Sequence, residues 1–158
     1  MQLSVLLAEL REQLSAAGAV TESLVVRHLQ RKLGPITRPE RLERAGECWR
    51  LGVLLLTQDA RLAAVGQVLR TTPERRIGTT SELARQREQL REAARRARIP
   101  AGVTLNIDAR WLDPDAPTAP LIVHDGILHV EWSRGLTTPL EPYLRERAEL
   151  LIHPPERA

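Results

Sequence analysis

Asp108, Asp113 and Asp115 stand close together after a predicted strand, beside Arg110 and Trp111. Carboxylates grouped in this way can exchange protons or hold a cation. An arginine next to a tryptophan can stack on a ligand or clamp it. Asp before Pro is also ordinary turn chemistry, and Trp111 reads equally as an apolar cap that folds its loop onto a sheet. The other chemistry-bearing pair is His124 and His129. With Asp125-Gly126 as a two-residue turn, His124 pairs with Ile127, Val123 with Leu128, Ile122 with His129 and Leu121 with Val130. The two histidines then become diagonal neighbours on one face, about 7–8 Å apart at the backbone. Asp108 or Asp113 would be a third ligand if that pair held a metal. No H-x-x-x-H or HExxH spacing supports one, so neither a metal nor another cofactor is expected.

Cys48 has no histidine near it in sequence and opens an apolar strand, which suits a buried, inert thiol. Phosphate-cradling glycine loops, G-x-S-x-G elbows and Walker sequences are absent. Gly52 and Gly66 lie inside apolar runs, where glycine signals a bulge or a close backbone approach. The candidate ligand-binding set is therefore Asp108, Arg110, Trp111, His124 and His129, with no catalytic residue assigned.

These residues need elements to position them. The longest apolar block, Cys48 to Arg70, breaks once at Thr57-Gln58-Asp59 and predicts a hairpin buried on both faces. Leu3, Leu6, Leu7, Leu10 and Leu14 form a helical stripe that Gly18 ends. Thr21 is placed to cap a second helix with Leu24, Val25, His28 and Leu29 inward, stopped by Gly34-Pro35. Thr37-Arg38-Pro39-Glu40 fits a capping box for a short third helix to about Ala45. Residues 71–80 read as a loop, followed by a charged helix to about Arg98 with a narrow seam at Leu83, Leu90, Ala94 and Ala97. Val103, Leu105 and Ile107 alternate with polar residues as a strand does. Residues 113–120 form a Pro-rich loop, and the Asp125-Gly126 hairpin follows. Thr138-Pro139-Leu140-Glu141 predicts a last helix with Leu140, Tyr143, Leu144 and Leu151 inward. The expectation is one α+β domain over 1–158: a helical part at 1–46, then at 47–158 a mostly antiparallel sheet of about five strands with two helices.

Composition narrows the classes. At 158 residues the chain is long enough for a real core. It has no run of 18 apolar residues, so no transmembrane helix is expected. No basic region precedes the N-terminal apolar stretch, which argues against a signal peptide. A lone cysteine forms no internal disulfide, and a cytoplasmic setting follows as the default. All but one of the 23 basic residues are arginine, and the net charge is only +3. Coding bias accounts for the arginine excess more simply than phosphate recognition does.

Trp49-Arg50-Leu51-Gly52-Val53-Leu54-Leu55-Leu56, then Ala64-Val65-Gly66, resembles a family of small uncharacterised actinobacterial proteins. The tail Pro139-Leu140-Glu141-Pro142-Tyr143-Leu144-Arg145-Glu146-Arg147 with Leu150-Leu151 is similar to the end of the same family. Members sometimes carry the label glutaminase. Its serine form needs Ser-x-x-Lys, and three residues before the only lysine, Lys32, stands Leu29. Its amidotransferase form needs a Cys on a strand-turn-helix elbow, and Cys48 opens a strand. The resemblance implies a fold and no activity.

Three functions remain. The first is a non-enzymatic binding or protein-interaction module that associates with itself, since the apolar hairpin calls for more cover than the helices offer. The second is nucleic-acid binding, either through a winged-helix arrangement with Arg38, Arg41 and Arg44 on the third helix, or through the Arg-rich helix at 82–98. The third is a small hydrolase using Asp108, Asp113, His124 or His129.

Overall fold

The computed structural model describes residues 2–29, 31–71 and 81–156, apart from the side chains of 31–33, 37 and 38. The predicted loop at 71–80 lies outside the described residues beyond its first, Thr71. Within them are three helices and twelve strands. Two compact units divide the chain: one of Met1–Thr21, Glu47–Val65 and Arg110–Ala158, the other of Glu22–Gly46 and Gly66–Ala109. Each has its own core.

The first unit opens with α1 (Leu3–Ala16), which buries Leu6, Leu7, Leu10 and Leu14 on one stripe. Gly18 follows at φ +62°, as a helix stop should. The end of β4 (Arg41–Leu51), then β5 (Leu54–Thr57) and β6 (Leu62–Ala64), form an antiparallel meander. Leu51 pairs with Leu54 across the two-residue turn Gly52-Val53, so Gly52 makes a turn and no bulge. It sits at φ +67°, and a Cβ there would lie 1.9 Å from the Tyr143 hydroxyl oxygen. The apolar block at 48–70 is thus three strands of this meander plus a fourth that belongs to the other unit. It is largely internal: Cys48, Leu51, Leu54, Leu55 and Leu56 are fully buried.

β9 (Arg110–Trp111) extends the meander by pairing with Ala63 and Ala64. A separate three-stranded sheet holds β10 (Leu121–His124), β11 (Ile127–Ser133) and β12 (Leu136–Pro139). The β10–β11 register is the one the Asp125-Gly126 turn dictates, with Leu121 opposite Val130 and His124 opposite Ile127. Both turn residues have positive φ, +50° and +74°. α3 (Leu140–Ile152) buries Leu140, Tyr143, Leu144 and Ala148. Arg145 joins it to α1, reaching Glu9 at 3.2 Å and Glu141 at 3.2 Å. Hydrogen bonds that Arg145 donates to Glu9 and Glu141 hold its pKa above the ordinary value.

In the second unit β1 (Glu22–His28) runs parallel to β8 (Thr104–Ile107), and β7 (Gln67–Arg70) pairs antiparallel with β8. The start of β4 completes the order β7-β8-β1-β4. β2 (Arg31–Leu33) and β3 (Ile36–Arg38) form a small hairpin around Gly34-Pro35. α2 (Glu82–Arg96) begins at Ser81, whose hydroxyl accepts from the Ala84 amide at 3.2 Å. Leu90, Ala93 and Ala94 on α2 pack with Val25, Leu42, Leu69, Ile99, Leu105 and Ile107. Gly66 is required by a close backbone approach: a Cβ there would lie 2.3 Å from the Asp108 carbonyl oxygen.

Two expectations are overturned. The part at 1–46 is not helical beyond α1, because the second and third predicted helices are strands β1 to β4. Ser23, Leu24 and Val25 are buried in succession, so β1 is covered on both faces. A short continuous apolar run of this kind imitates a helical stripe, and the neighbouring β-branched residues favour the extended form. Gly34-Pro35 turns a hairpin where a helix stop was expected, and Thr37 and Pro39 flank the end of β3 and cap no helix. Nor is there a single sheet of about five strands, although the antiparallel pairs β4–β5, β5–β6, β6–β9 and β7–β8 outnumber the parallel pair β1–β8. The hydrogen-bonded order β7-β8-β1-β4-β5-β6-β9 is a mixed, seven-stranded sheet, beside the three-stranded one. The parallel β1–β8 pair joins residues some eighty positions apart, which no local pattern announces.

Candidate functional site: an arginine-lined groove

The second unit carries an open groove of about 890 Å³. Its position follows from the elements. β1 supplies Arg27 and His28 at its end, the approach to β4 supplies Pro39 and Glu40, β4 supplies Arg41 and Leu42, and α2 supplies Ala93 and Arg96, with Ala97 just beyond. Leu42 and Ala93 are buried beneath it, while Leu29 stands 68% exposed at the rim. A volume of this size is within the range of ligand-binding clefts.

Three guanidinium groups and one carboxylate line the groove. Arg27 is held twice: its Nε donates to Glu40 Oε1, and its Nη1 donates to Asp108 Oδ2 at 3.1 Å. Burial works to lower the Arg27 pKa, but the hydrogen bonds and charges of Glu40 and Asp108 outweigh it, so the group sits above its ordinary value. Arg96 Nη2 donates to the Glu40 backbone oxygen at 3.0 Å, a neutral acceptor. His28 Nε2 lies 2.9 Å from Glu43 Oε2. Asp108, which links Arg27 from β8's end, has φ +59°, an unusual conformation for a residue with a Cβ.

The sequence candidates are dispersed. Asp108 belongs to the second unit and reaches Arg27. The other four lie in the first unit, at three places. Arg110 borders a hollow of about 520 Å³ with Ile122 and Glu131. Its Nη1 donates to Thr118 Oγ1 at 2.6 Å and its Nη2 to the Ala119 carbonyl, so it fastens the Pro-rich loop. Trp111 is 45% exposed with the Arg61 guanidinium 3.7 Å over its ring, beside a hollow of about 430 Å³ that Asp113 also borders. His124 and His129 meet edge to face, ring centres 5.5 Å apart. The His124 side chain is 73% exposed, and no wall encloses it. Asp115 donates its amide to Asp113 Oδ1 at 2.9 Å, an ordinary turn contact. Among the described residues no group of three His, Cys, Asp or Glu side chains is placed to hold a metal ion.

Of the arginines proposed for nucleic acid, Arg41 and Arg44 lie on strand β4, in place of the short helix at 38–45 that was to present them. The Arg38 side chain lies outside the described residues. α2 is present, but its charges are interlaced: Glu92 with Arg95 at 2.9 Å, Glu88 with Arg95 at 3.4 Å and with Arg91 at 3.6 Å. Sequence reasoning found Arg41 for the wrong element, found Arg96 only as one arginine of the charged helix at 82–98, and missed Arg27 and Glu40. Leu42 is the one apolar residue in Glu40-Arg41-Leu42-Glu43-Arg44, so no alternation marks this stretch as a strand.

No protein-family model matches this sequence, and no match was found among curated proteins or solved structures.

Proposed function

We propose that the protein is a non-enzymatic binding module whose ligand sits in the groove between β1, β4 and α2 of the second unit. The observation that carries this reading is the groove itself, with apolar side chains below and three arginines around it. None of its lining groups pairs a nucleophile with a base, which acyl or phosphoryl transfer would need. N-Phenyl-1-naphthylamine, a neutral dye that brightens in apolar sites, tests it. The dye is expected to bind the wild type, and Ala97→Trp, placed at an exposed position on the groove, is expected to abolish that binding without loss of thermal stability. Equal dye binding by both proteins overturns the reading.

Self-association is the second reading, with another copy of this chain as the partner. It is favoured by exposed apolar side chains on the three-stranded sheet, where Val123 is 54%, Ile127 57% and Leu136 49% exposed, and by that sheet's unpaired edges. The apolar block at 48–70, the original motive, is instead buried. Light scattering at about 100 µM, where weak dimers with Kd in the micromolar range form, is expected to give twice the monomer mass. A monomer, or a dimer untouched by Ile127→Lys, removes this reading.

The lone buried cysteine supports a reducing, cytoplasmic setting for the module. Among the described residues no helix is long and apolar enough to cross a membrane. Membership of the actinobacterial family remains part of the proposal and brings no activity with it.

A further inference from the structure

We propose that the occupant of the groove is a small amphiphilic anion, its acid group held by Arg41 and Arg96 and its apolar body laid over Leu42, Ala93 and Leu29. This inference rests on the reading of the groove as a ligand site and adds the chemical class.

Charge decides the class. Arg27 faces Glu40 and Asp108 together, so those three groups leave no positive charge to spare. Arg96 spends one nitrogen on a backbone oxygen, which leaves its charge unbalanced. Arg41 is exposed at the groove. Among the described residues neither Arg41 nor Arg96 has a carboxylate partner. Two guanidinium groups beside an apolar floor match one acid group joined to an apolar body, because guanidinium binds planar or tetrahedral oxyanions through paired donors. A neutral apolar ligand would cover these cations without satisfying them, which is costly. A polyanion fits worse, since Glu40, Glu43 and Asp108 would repel its further phosphates.

Two dyes that share one aryl body provide the test. 1-Anilinonaphthalene-8-sulfonate carries an acid group, and N-phenyl-1-naphthylamine does not. The anionic dye is expected to bind about tenfold more tightly, the effect of one or two charge-assisted hydrogen bonds. Arg41→Glu/Arg96→Glu is expected to weaken the anionic dye about tenfold or more and to leave the neutral dye within about twofold. Arg41→Gln/Arg96→Gln gives the same direction if the charge-reversed variant does not fold. Dodecanoate is expected to displace the anionic dye, and dodecan-1-ol to compete poorly. If the neutral dye binds the groove and the anionic dye binds no better, the amphiphilic-anion class is wrong while the binding module stands. If neither binds, both fall. Anionic-dye binding that survives loss of both arginines also overturns the inference, as does displacement by duplex DNA at low salt but not by dodecanoate.

Discussion

At the scale of single residues, two positions set the groove's geometry. Gly66 leaves room for the carbonyls of Ile107 and Asp108, 2.6 and 2.3 Å from where a Cβ would stand. The Ile107 carbonyl belongs to the paired end of β8 and cannot rotate away without disturbing it. Gly66→Ala is therefore expected to cost roughly 3 kcal/mol and to weaken dye binding by moving Asp108 from Arg27. Gly102→Ala is the control: φ there is +80° with nothing within 4 Å, so only backbone strain of roughly 1–2 kcal/mol is expected. Thermal unfolding of both variants checks the difference, and equal losses would discard the close approach as the cause. Arg27 gives a pH prediction. Its pKa is raised on folding, so its contribution is fully present below the ordinary arginine value and is lost only as pH rises through the higher folded value. Arg27→Met should therefore lose the same stability, about 1–2 kcal/mol, at pH about 6 and about 9. A loss that changes across that window would show that another group titrates with it.

At the scale of elements, the β4–β5 turn and α3 hold one another. The Val53 amide donates to the Tyr143 hydroxyl at 3.1 Å, and that hydroxyl fills the space a side chain at position 52 would need. Gly52→Ala is expected to cost about 3 kcal/mol and Tyr143→Phe about 1 kcal/mol. The double variant should cost less than their sum, since removing the hydroxyl relieves the clash. Urea unfolding of the four proteins completes the cycle, and simple additivity would refute the contact. Elements with a local signature were legible in the sequence. The leucine stripe of α1 has a long 3.6-residue period, and Asp125-Gly126 dictates both turn and register. β1 to β3 and the start of β4 were not legible, whereas the Cys48–Leu51 end of β4 was read as a strand of the apolar hairpin. In the unread strands the apolar residues come in short runs, and Thr37-Arg38-Pro39-Glu40 is a helix-start pattern overridden by pairing with distant strands. β12 was missed for a related reason: Leu136–Pro139 carries the signals of the helix that follows it. The groove went unread for the same cause, since Arg27, Glu40 and Arg96 meet only after β1, β4 and α2 are assembled.

At the scale of the whole molecule, the chain passes between its two units four times, at 21/22, 46/47, 65/66 and 109/110. Each core therefore draws on separated stretches: Val25 and Leu42 from one, Leu69, Leu90 and Leu105 from another. Separate fragments 1–46 and 47–158 are expected to lack dispersed amide spectra, although a boundary at 46 reads naturally from the sequence. Independent folding of 47–158 would contradict this division of the core. The same threading sets an order of events during synthesis. The unit with the groove has all of its residues once Ala109 has emerged from the ribosome. The other starts first, with α1, yet must wait for α3, its last element. The leucine stripe of α1 is therefore covered in stages, by Leu51, Leu54, Leu56 and Leu62 once β4 to β6 are made and by Leu140 and Leu144 only when α3 follows.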